Sequence, residues 1–424
     1  MTGQEAVAYI HSHQWERRAP GLDRIRTLLR ALGAPQAEQK FVHVAGTNGK
    51  GSTCACIAAV LRAAGYRVGL NTSPYLMTFH ERIRVDGEMI SDVELASLAE
   101  EIRPAAAAMA EHPTEFELIT AIALLHFRRK GCDISVLEVG LGGALDASNV
   151  IGVPEAAVIT AMGMDHVALL GPTQADVAAA KAGIIKPGGD VVSYGGCPEA
   201  DAVFRRVCGE RGAGLTEVDF SRLRLRSAGL DGARFDFLPY EDLYLPLAGE
   251  YQLKNAAAAI TALEVLQKKG WRVSGEAVRR GLAAVRWPGR FEVLRRDPVF
   301  LLDGAHNAHG MTAAAESLRA LFPGRKAVFL LGLLADKDVS AMLDLLAPLA
   351  ERVFTLRPDS PRAMEAEALA ELLEARGVPA RACGTAGEGV RSALESAGRS
   401  GVVCALGSLY LSGDIRRAVE ALSQ

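Results

Sequence analysis

A β-branched run that enters a glycine-rich turn and leaves it as an alanine-rich helix limits this chain's folding more than any other feature. Residues 41–65 read FVHVAGTNGKGSTCACIAAVLRAAG. FVHVAG has the composition of a strand, and GSTCACIAAVLRAAG that of a helix closed by Gly65. Strand, turn and helix in that order are a building unit of α/β folds. The turn has the makings of a phosphate cradle. Backbone N–H groups at a helix start hold phosphate oxygens. Lys50 can reach the β- and γ-phosphates of a nucleotide, and Ser52 or Thr53 can offer a hydroxyl to Mg²⁺. The common spacing G-x-x-x-x-G-K-[ST] is absent, however. Val44 stands where its first glycine belongs, and Gly51 separates Lys50 from Ser52. The loop is either a degraded cradle or a variant with its own chemistry.

The alternation continues along the chain. YRVGLNTS, DISVLEVG and AAVITAM read as strands, while DVELASLAEEIRPAAAAMAEH, FELITAIALLHFRRKG and TQADVAAAKAGIIKPGG read as helices. Residues 219–248 change character: they alternate, carry Gly and Asp turn signals, and read as antiparallel strands on the edge of the first domain. A helical pair follows. RWPGRFEVLRRDP then suggests a linker, after which VFLLDGAHN, KAVFLLGLL, RVFTLRP and GVVCALGS restart the βα pattern. The expectation is an N-terminal domain over 1–286, a linker over 287–297 and a smaller α/β domain over 298–424. Two or three domains suit a chain of 424 residues.

Composition narrows the function classes. A net charge of 47 − 50 = −3 and only 6% aromatic residues argue against nucleic acid as a partner. No stretch approaches the ~18 apolar residues of a membrane span, and the first residues lack the pattern of a secretory signal. The seven cysteines are scattered with no C-x-x-C pair, as expected of reduced thiols in a cytoplasmic protein. Cys54 and Cys56, close behind the loop, read as small packing residues of a helix.

Several residues beyond the loop attract notice. Glu138 ends the apolar run of DISVLEVG, where burying a carboxylate is costly unless a cation meets it. It is either a Mg²⁺ ligand or an exposed strand end. His166, in TAMGMDHVALLG, follows another strand, at the level where ligands of open α/β sheets gather. Lys181 lies on an Ala-rich helix and on pattern alone is a solvated lysine. In the second domain, FLLDGAHNAHG places Asp303, His306 and Asn307 at a strand end. LGLLADKDVSAM, with Asp336, Lys337 and Asp338, and ALGSLYLSGDIR follow two later strands on the same expected sheet edge.

Taken in order, these motifs resemble those of folylpolyglutamate synthases, often bifunctional with dihydrofolate synthase, within the Mur ligase superfamily. HVAGTNGKGST resembles that family's own phosphate loop, which favours the variant over the degraded cradle. Further matching stretches are PGLDRIRTLLRALG, TSPYL, ERIRVDGEMIS, FELITAIA, LEVGLGGALDASNVI, MDHVALLGPT, KAGIIKPG, YQLKNAAAAI, WPGRFE, LDGAHN, ADKD and GSLYLSGDIR. The resemblance implies an α/β fold with an N-terminal P-loop ATPase domain of Mur ligase type, its sheet mostly parallel, and a smaller Rossmann-like C-terminal domain. It implies an ATP-dependent amide ligase. ATP phosphorylates a carboxylate of a reduced folate or dihydropteroate, and the amine of L-glutamate attacks the acyl phosphate. Phosphorylation supplies the leaving group that a carboxylate lacks, so the protein's work is positioning and charge neutralisation.

The resemblance also implies residue roles. Thr47, Asn48, Gly49, Lys50, Gly51, Ser52 and Thr53 would hold ATP, with Asn255, Arg290 and Asp303. Ser52, Glu138, His166 and Lys181 would serve two Mg²⁺ ions. Lys181 matches a lysine that the superfamily carbamylates, which overturns its reading as a solvated residue. Lys181, Asp303 and His306 would be catalytic, and Ser73, Asp165 and His306 would meet substrate. A monomeric state is implied by the same resemblance and a monovalent cation is a further expectation, while the absence of nucleic-acid or membrane partners is expected from the charge and composition above. The chain departs from the family pattern at four positions. Tyr75 replaces a usual His, Ala144 a usual Arg, Ala180 a usual Glu and Tyr251 a usual His. These put fine substrate recognition in question. Rival readings are a Mur-type ligase for another acceptor, a small-molecule kinase and a non-catalytic ATP-binding regulator. The first lacks room for a separate nucleotide-sugar domain before residue 45, and the second leaves the DGAHN motif unused.

Overall fold

The structure is a computed structural model that describes residues 1–13 and 21–422. Pro20, the first residue of one matching motif, lies outside the described residues. Two compact units form: Met1–Leu223 with Phe237–Leu243 and Lys254–Val285, and Arg224–Asp236 with Tyr244–Leu253 and Arg286–Gln424.

The first unit is built on eight strands: β1 (Phe41–Ala45), β2 (Val68–Asn71), β3 (Ile83–Val85), β4 (Glu88–Met89), β5 (Ile134–Glu138), β6 (Ala156–Ile159), β7 (Asp190–Ser193) and β8 (Gly214–Glu217). Their order is β4-β3-β2-β5-β1-β6-β7-β8. From β2 to β8 the pairing is parallel, and β3 and β4 close one edge antiparallel. The mostly parallel sheet expected from the sequence is thus present. Every residue of β1, β5 and β6 is buried, which is why these strands read as apolar runs broken only by His43, Ser135 and Glu138. β1 lies between β5 and β6, and β2 lies beyond β5, so the strand order reverses at β1. Crevices at such a switch point, outside the carboxyl ends of strands, are where open α/β sheets bind ligands. The crossover helix Lys50–Ala63 leaves β1 there.

Residues 223–245 do form antiparallel strands, but as a sheet of their own and not as an edge of the first sheet: β9 (Leu223–Gly229), β10 (Gly232–Phe237) and β11 (Tyr240–Leu245). Arg224–Asp236 and Tyr244–Leu253 pack with the second unit. Ala248, for example, shares a core with Phe291 and Leu301.

The second unit carries β12 (Glu292–Arg296), β13 (Val299–Leu302), β14 (Ala327–Leu331), β15 (Ala350–Thr355), β16 (Ala380–Ala382) and β17 (Val402–Leu406), in the order β12-β13-β17-β14-β15-β16. β13, β17, β14, β15 and β16 run parallel. Side chains alternate between faces: Leu301, Phe329 and Cys404 enter one core, and Phe300, Val328 and Val403 the other. Residues 292–296, read as linker, are strand β12, paired antiparallel with β13 across a bulge. The prolines and glycine there suggested a loop, but only Glu292–Arg296, which contains neither, pairs.

Candidate active site

The loop after β1 is shaped by what lies beneath it. Thr47 and Asn48 donate their N–H groups to Ala161 O, just past the end of β6, at 3.0 and 3.2 Å. Thr47 Oγ1 donates to Gly163 O at 2.9 Å. Thr160 Oγ1 lies within hydrogen-bond reach of Asn48 O at 2.8 Å and Ala45 O at 3.2 Å. Gly49 has φ of +83°, a conformation costly for a side chain. A Cβ on it would lie 2.3 Å from Asn255 Oδ1. The chain therefore keeps bare backbone against Asn255 at the point where the helix Lys50–Ala63 begins, with Ser52 and Thr53 buried in its first turn. The first N–H groups of a helix have no partner within it and face outward along its axis.

Two lysines converge on this loop. Lys50 Nζ donates to Gly46 O and Thr47 O, each at 3.2 Å. Lys181 Nζ donates to the same Gly46 O at 2.8 Å. Lys181 is not the solvated lysine its pattern suggested, but is only 4% exposed. Burial foremost, then the Lys50 charge, brings its pKa down to about 7, with Asp165 and Asp146 opposing. A share of its amine is consequently neutral near neutral pH.

Glu138 is buried, not an exposed strand end. It sits level with Val44 in the β1–β5 register, and its Oε2 accepts the Ser73 N–H at 2.9 Å. Ser73, Glu138 and the loop are therefore tied across β2, β5 and β1. Asp165 Oδ1 accepts the His166 N–H at 2.8 Å. The His166 ring is 37% exposed, and the residue caps the short helix Val167–Leu170 at φ +52°.

Whether these groups suit Mg²⁺ can be judged from their chemistry. The ion prefers oxygen ligands, keeps several waters and uses one or two carboxylates with substrate phosphates. A buried carboxylate at Glu138 and the hydroxyls of Ser52 and Thr53 fit that demand, and Thr53 Oγ1 is buried without a hydrogen bond. Among the described residues no group of three or more His, Cys, Asp or Glu side chains gathers as a metal cluster.

In the second unit, Asp303 follows β13. Its Oδ1 accepts the Ala305 N–H, and its Oδ2 accepts both the Phe291 N–H and the Tyr251 hydroxyl. His306 Nδ1 lies 2.7 Å from Gly304 O and so carries the proton on that nitrogen. The Arg290 guanidinium lies against Gly304, where a Cβ would be 2.6 Å from Nη1. The two later clusters do follow parallel strands at the same sheet edge, and several of their side chains brace the local structure. Asp336 pairs with Arg362, Asp338 caps the helix Val339–Leu346, and Ser408 caps Leu409–Ala421.

Sequence reasoning missed the groups beneath the loop. Thr160 ends an ordinary apolar strand. His43 is wholly buried and meets Ser148 Oγ at 2.8 Å, and Ser148 in turn donates to Asp146. Asp146 also accepts N–H groups from Gly140, Leu141 and Ser148. A histidine inside a β-branched run was the only available signal. Two of the four departures meet here: the Ala144 N–H donates to Ala180 O at 2.9 Å. Tyr75 meets Phe79 edge-on, with the Arg82 guanidinium over its ring. Cys54 and Cys56 are buried on the helix, where burial raises both thiols, Cys56 to about 12, in keeping with a packing role.

A phosphate-type loop at a sheet's switch point, with a buried carboxylate and a buried lysine, joined in one chain to a second parallel α/β unit, defines the class as that of nucleotide-dependent ligases of Mur type. The Mur ligase middle domain matches residues 44–263, and the Mur ligase glutamate ligase domain matches residues 289–409. The folylpolyglutamate synthase of Lacticaseibacillus casei is 39% identical over 89% of this chain and 90% of that protein. The dihydrofolate synthase/folylpolyglutamate synthase of Bacillus subtilis is 37% identical over 98% of this chain and 99% of its own. The solved Mycobacterium tuberculosis folylpolyglutamate synthase complexed with ADP superposes with a TM-score of 0.90 at 33% identity, covering 98% of each chain. The chain belongs to the folylpolyglutamate synthase family of Mur ligases, and it is an ATP-dependent ligase.

Proposed function

We propose that this ligase joins L-glutamate to the carboxylate of a reduced folate or dihydropteroate through an acyl phosphate. The observation that carries this reading is the convergence of Lys50 and Lys181 on the Gly46 carbonyl, at the mouth of a loop whose relatives include proteins solved with ADP and with AMPPCP and folate. The loop of residues 47–53, with the amides that open the helix Lys50–Ala63 and the Lys50 ammonium, binds the triphosphate, and Asn255 fixes the loop's conformation from beside Gly49. Ser52 or Thr53, Glu138 and His166 would hold Mg²⁺, which would supply neutralisation of phosphate charge. The buried, partly neutral amine of Lys181 suits reaction with CO₂, since only an unprotonated amine forms a carbamate. As a carbamate, Lys181 becomes a second anionic ligand for metal. Arg290 and Asp303 serve ATP, His306 serves the incoming glutamate and acyl phosphate, and Ser73 and Asp165 border the substrate. A monovalent cation completes the charge balance. The protein works as a cytoplasmic monomer. Among the described residues no helix is long and apolar enough to cross a membrane.

Purified protein with Mg·ATP and L-glutamate, offered 7,8-dihydropteroate in one tube and tetrahydrofolate in another, tests this directly by product mass. Gain of one glutamate on dihydropteroate marks dihydrofolate synthase activity, and gain on tetrahydrofolate marks polyglutamylation. No product in either tube would remove the folate assignment and leave the acceptor to be sought among other carboxylates.

A further inference from the structure

Arg290 occupies an unusual stretch of backbone. Gly289 has φ of +71° and Phe291 φ of +51°. A phenylalanine in the left-handed region is strained and persists only where its surroundings hold it. Two anchors do so. The Gly289 N–H donates to Glu292 Oε2 at 2.8 Å, and both Glu292 oxygens are gripped by Arg416 Nη1 at 2.8 and 2.7 Å. The Phe291 N–H donates to Asp303 Oδ2 at 2.8 Å, while the Phe291 ring is buried in the second unit's core.

Asp303 is held in its turn. Tyr251, the first residue of the helix Tyr251–Lys268, donates its hydroxyl to the same Oδ2 at 3.0 Å, and the Ala305 N–H holds Oδ1 at 2.8 Å. Burial foremost, then the Asp303 charge, pushes the Tyr251 hydroxyl well above its usual range, so it stays a donor. Three internal donors thus occupy a carboxylate that is 4% exposed, and two of them converge on one oxygen.

From this arrangement we infer that Tyr251 and Asp303 are positioning residues. They clamp Phe291 in its strained conformation and so aim the Arg290 guanidinium across Gly304 at the carboxyl edge of the second sheet. The inference rests on the proposed role of Arg290 toward ATP, and it gives Asp303 a backbone-holding task in addition to any direct one. Tyr251 touches no ligand itself and acts on Arg290 through Asp303 and Phe291.

The test uses the full chain and four variants: Tyr251→Phe, Tyr251→His, Arg290→Ala and the double variant Tyr251→Phe with Arg290→Ala. Amide hydrogen exchange is read over residues 289–292, and KM for ATP and kcat are read separately. Loss of one hydrogen bond to the carboxylate is expected to speed exchange at Phe291 and raise KM for ATP about five-fold, with kcat changed far less. Histidine carries its N–H donor on a shorter side chain that ends well short of the hydroxyl's position, so it should shift both readouts in the same direction as Tyr251→Phe. In the Arg290→Ala background the Tyr251→Phe effect on KM should vanish. Unchanged exchange in Tyr251→Phe, beside an impaired Arg290→Ala, overturns the clamp and leaves the ATP assignment standing. Faster exchange beside an Arg290→Ala with normal KM supports the clamp and removes the ATP role of Arg290. A Tyr251→Phe effect that adds fully to Arg290→Ala, or that lowers kcat and thermal stability without moving KM, also overturns it.

Discussion

Gly49 shows how little freedom single residues have at this site. Alanine there must adopt φ near +83° and place a methyl 2.3 Å from Asn255 Oδ1. Either the loop or Asn255 must move, so Gly49→Ala should raise KM for ATP, and a kinetic profile equal to wild type would dismiss the cradle geometry. Lys50→Ala removes a cation aimed at developing phosphate charge, and kcat/KM for ATP should fall ~100-fold or more. Full retention would mean the phosphates bind elsewhere. Lys181→Ala should abolish ligation, and ¹³C-bicarbonate added to the wild type should yield a carbamate carbon resonance that the variant lacks. Lys50 and the loop were legible in the sequence because the chemistry requires them in consecutive order. Lys181 was not, because its burial comes from packing against a loop 135 positions earlier. Only a family resemblance could single it out.

At the level of elements, β1 carries a buried polar device that alternation patterns do not reveal. Burial foremost, then the charge of Lys186, holds His43 down to about 3 from an ordinary 6.5. Between those values the unfolded chain binds a proton that the folded chain refuses, so stability rises with pH across this window and is lost as pH falls from about 6.5 towards 3. His43→Gln should flatten that acid limb in urea titrations, and an identical limb would assign the loss to other groups. The helices Gly275–Ala283 and Lys50–Ala63 meet through Gly281, where a Cβ would lie 2.4 Å from Val60 Cα. Backbone cannot retreat as a side chain can, so Gly281→Ala should cost ~1–3 kcal/mol in denaturant unfolding. A loss under a few tenths would show that the helices slide apart freely. The helices themselves were readable because Ser, Thr and Asp caps announce many of them, among them Ser91, Thr114, Thr173 and Ser274.

Across the molecule, a Mg²⁺ complex of a non-hydrolysable ATP analogue should raise the unfolding temperature. Ligand at a hundred times its Kd contributes ~2.7 kcal/mol. Chelating the metal, or replacing Lys50 with alanine, should erase the shift, whereas a shift that survives both would place the nucleotide on another surface. Central parallel strands such as β14 and β17 were legible because both faces are covered and their residues are uniformly apolar. β4, β8 and β16 were not. They are two to four residues long, none of their residues is buried, and they exist only because a neighbour offers a ladder to join. The division into units was the least legible, since Arg224–Asp236 and Tyr244–Leu253 look like an extension of the N-terminal domain yet pack with the C-terminal one. That interleaving has a consequence for synthesis. A ribosome releases these two segments before it has made residues 286–424, so Phe235, Leu245 and Leu247, all buried in the finished protein, must wait in the open for their partners. A gene shortened to end at the expected boundary near residue 286 would make that wait permanent, and its product would be a magnet for chaperones and aggregates instead of a free-standing half.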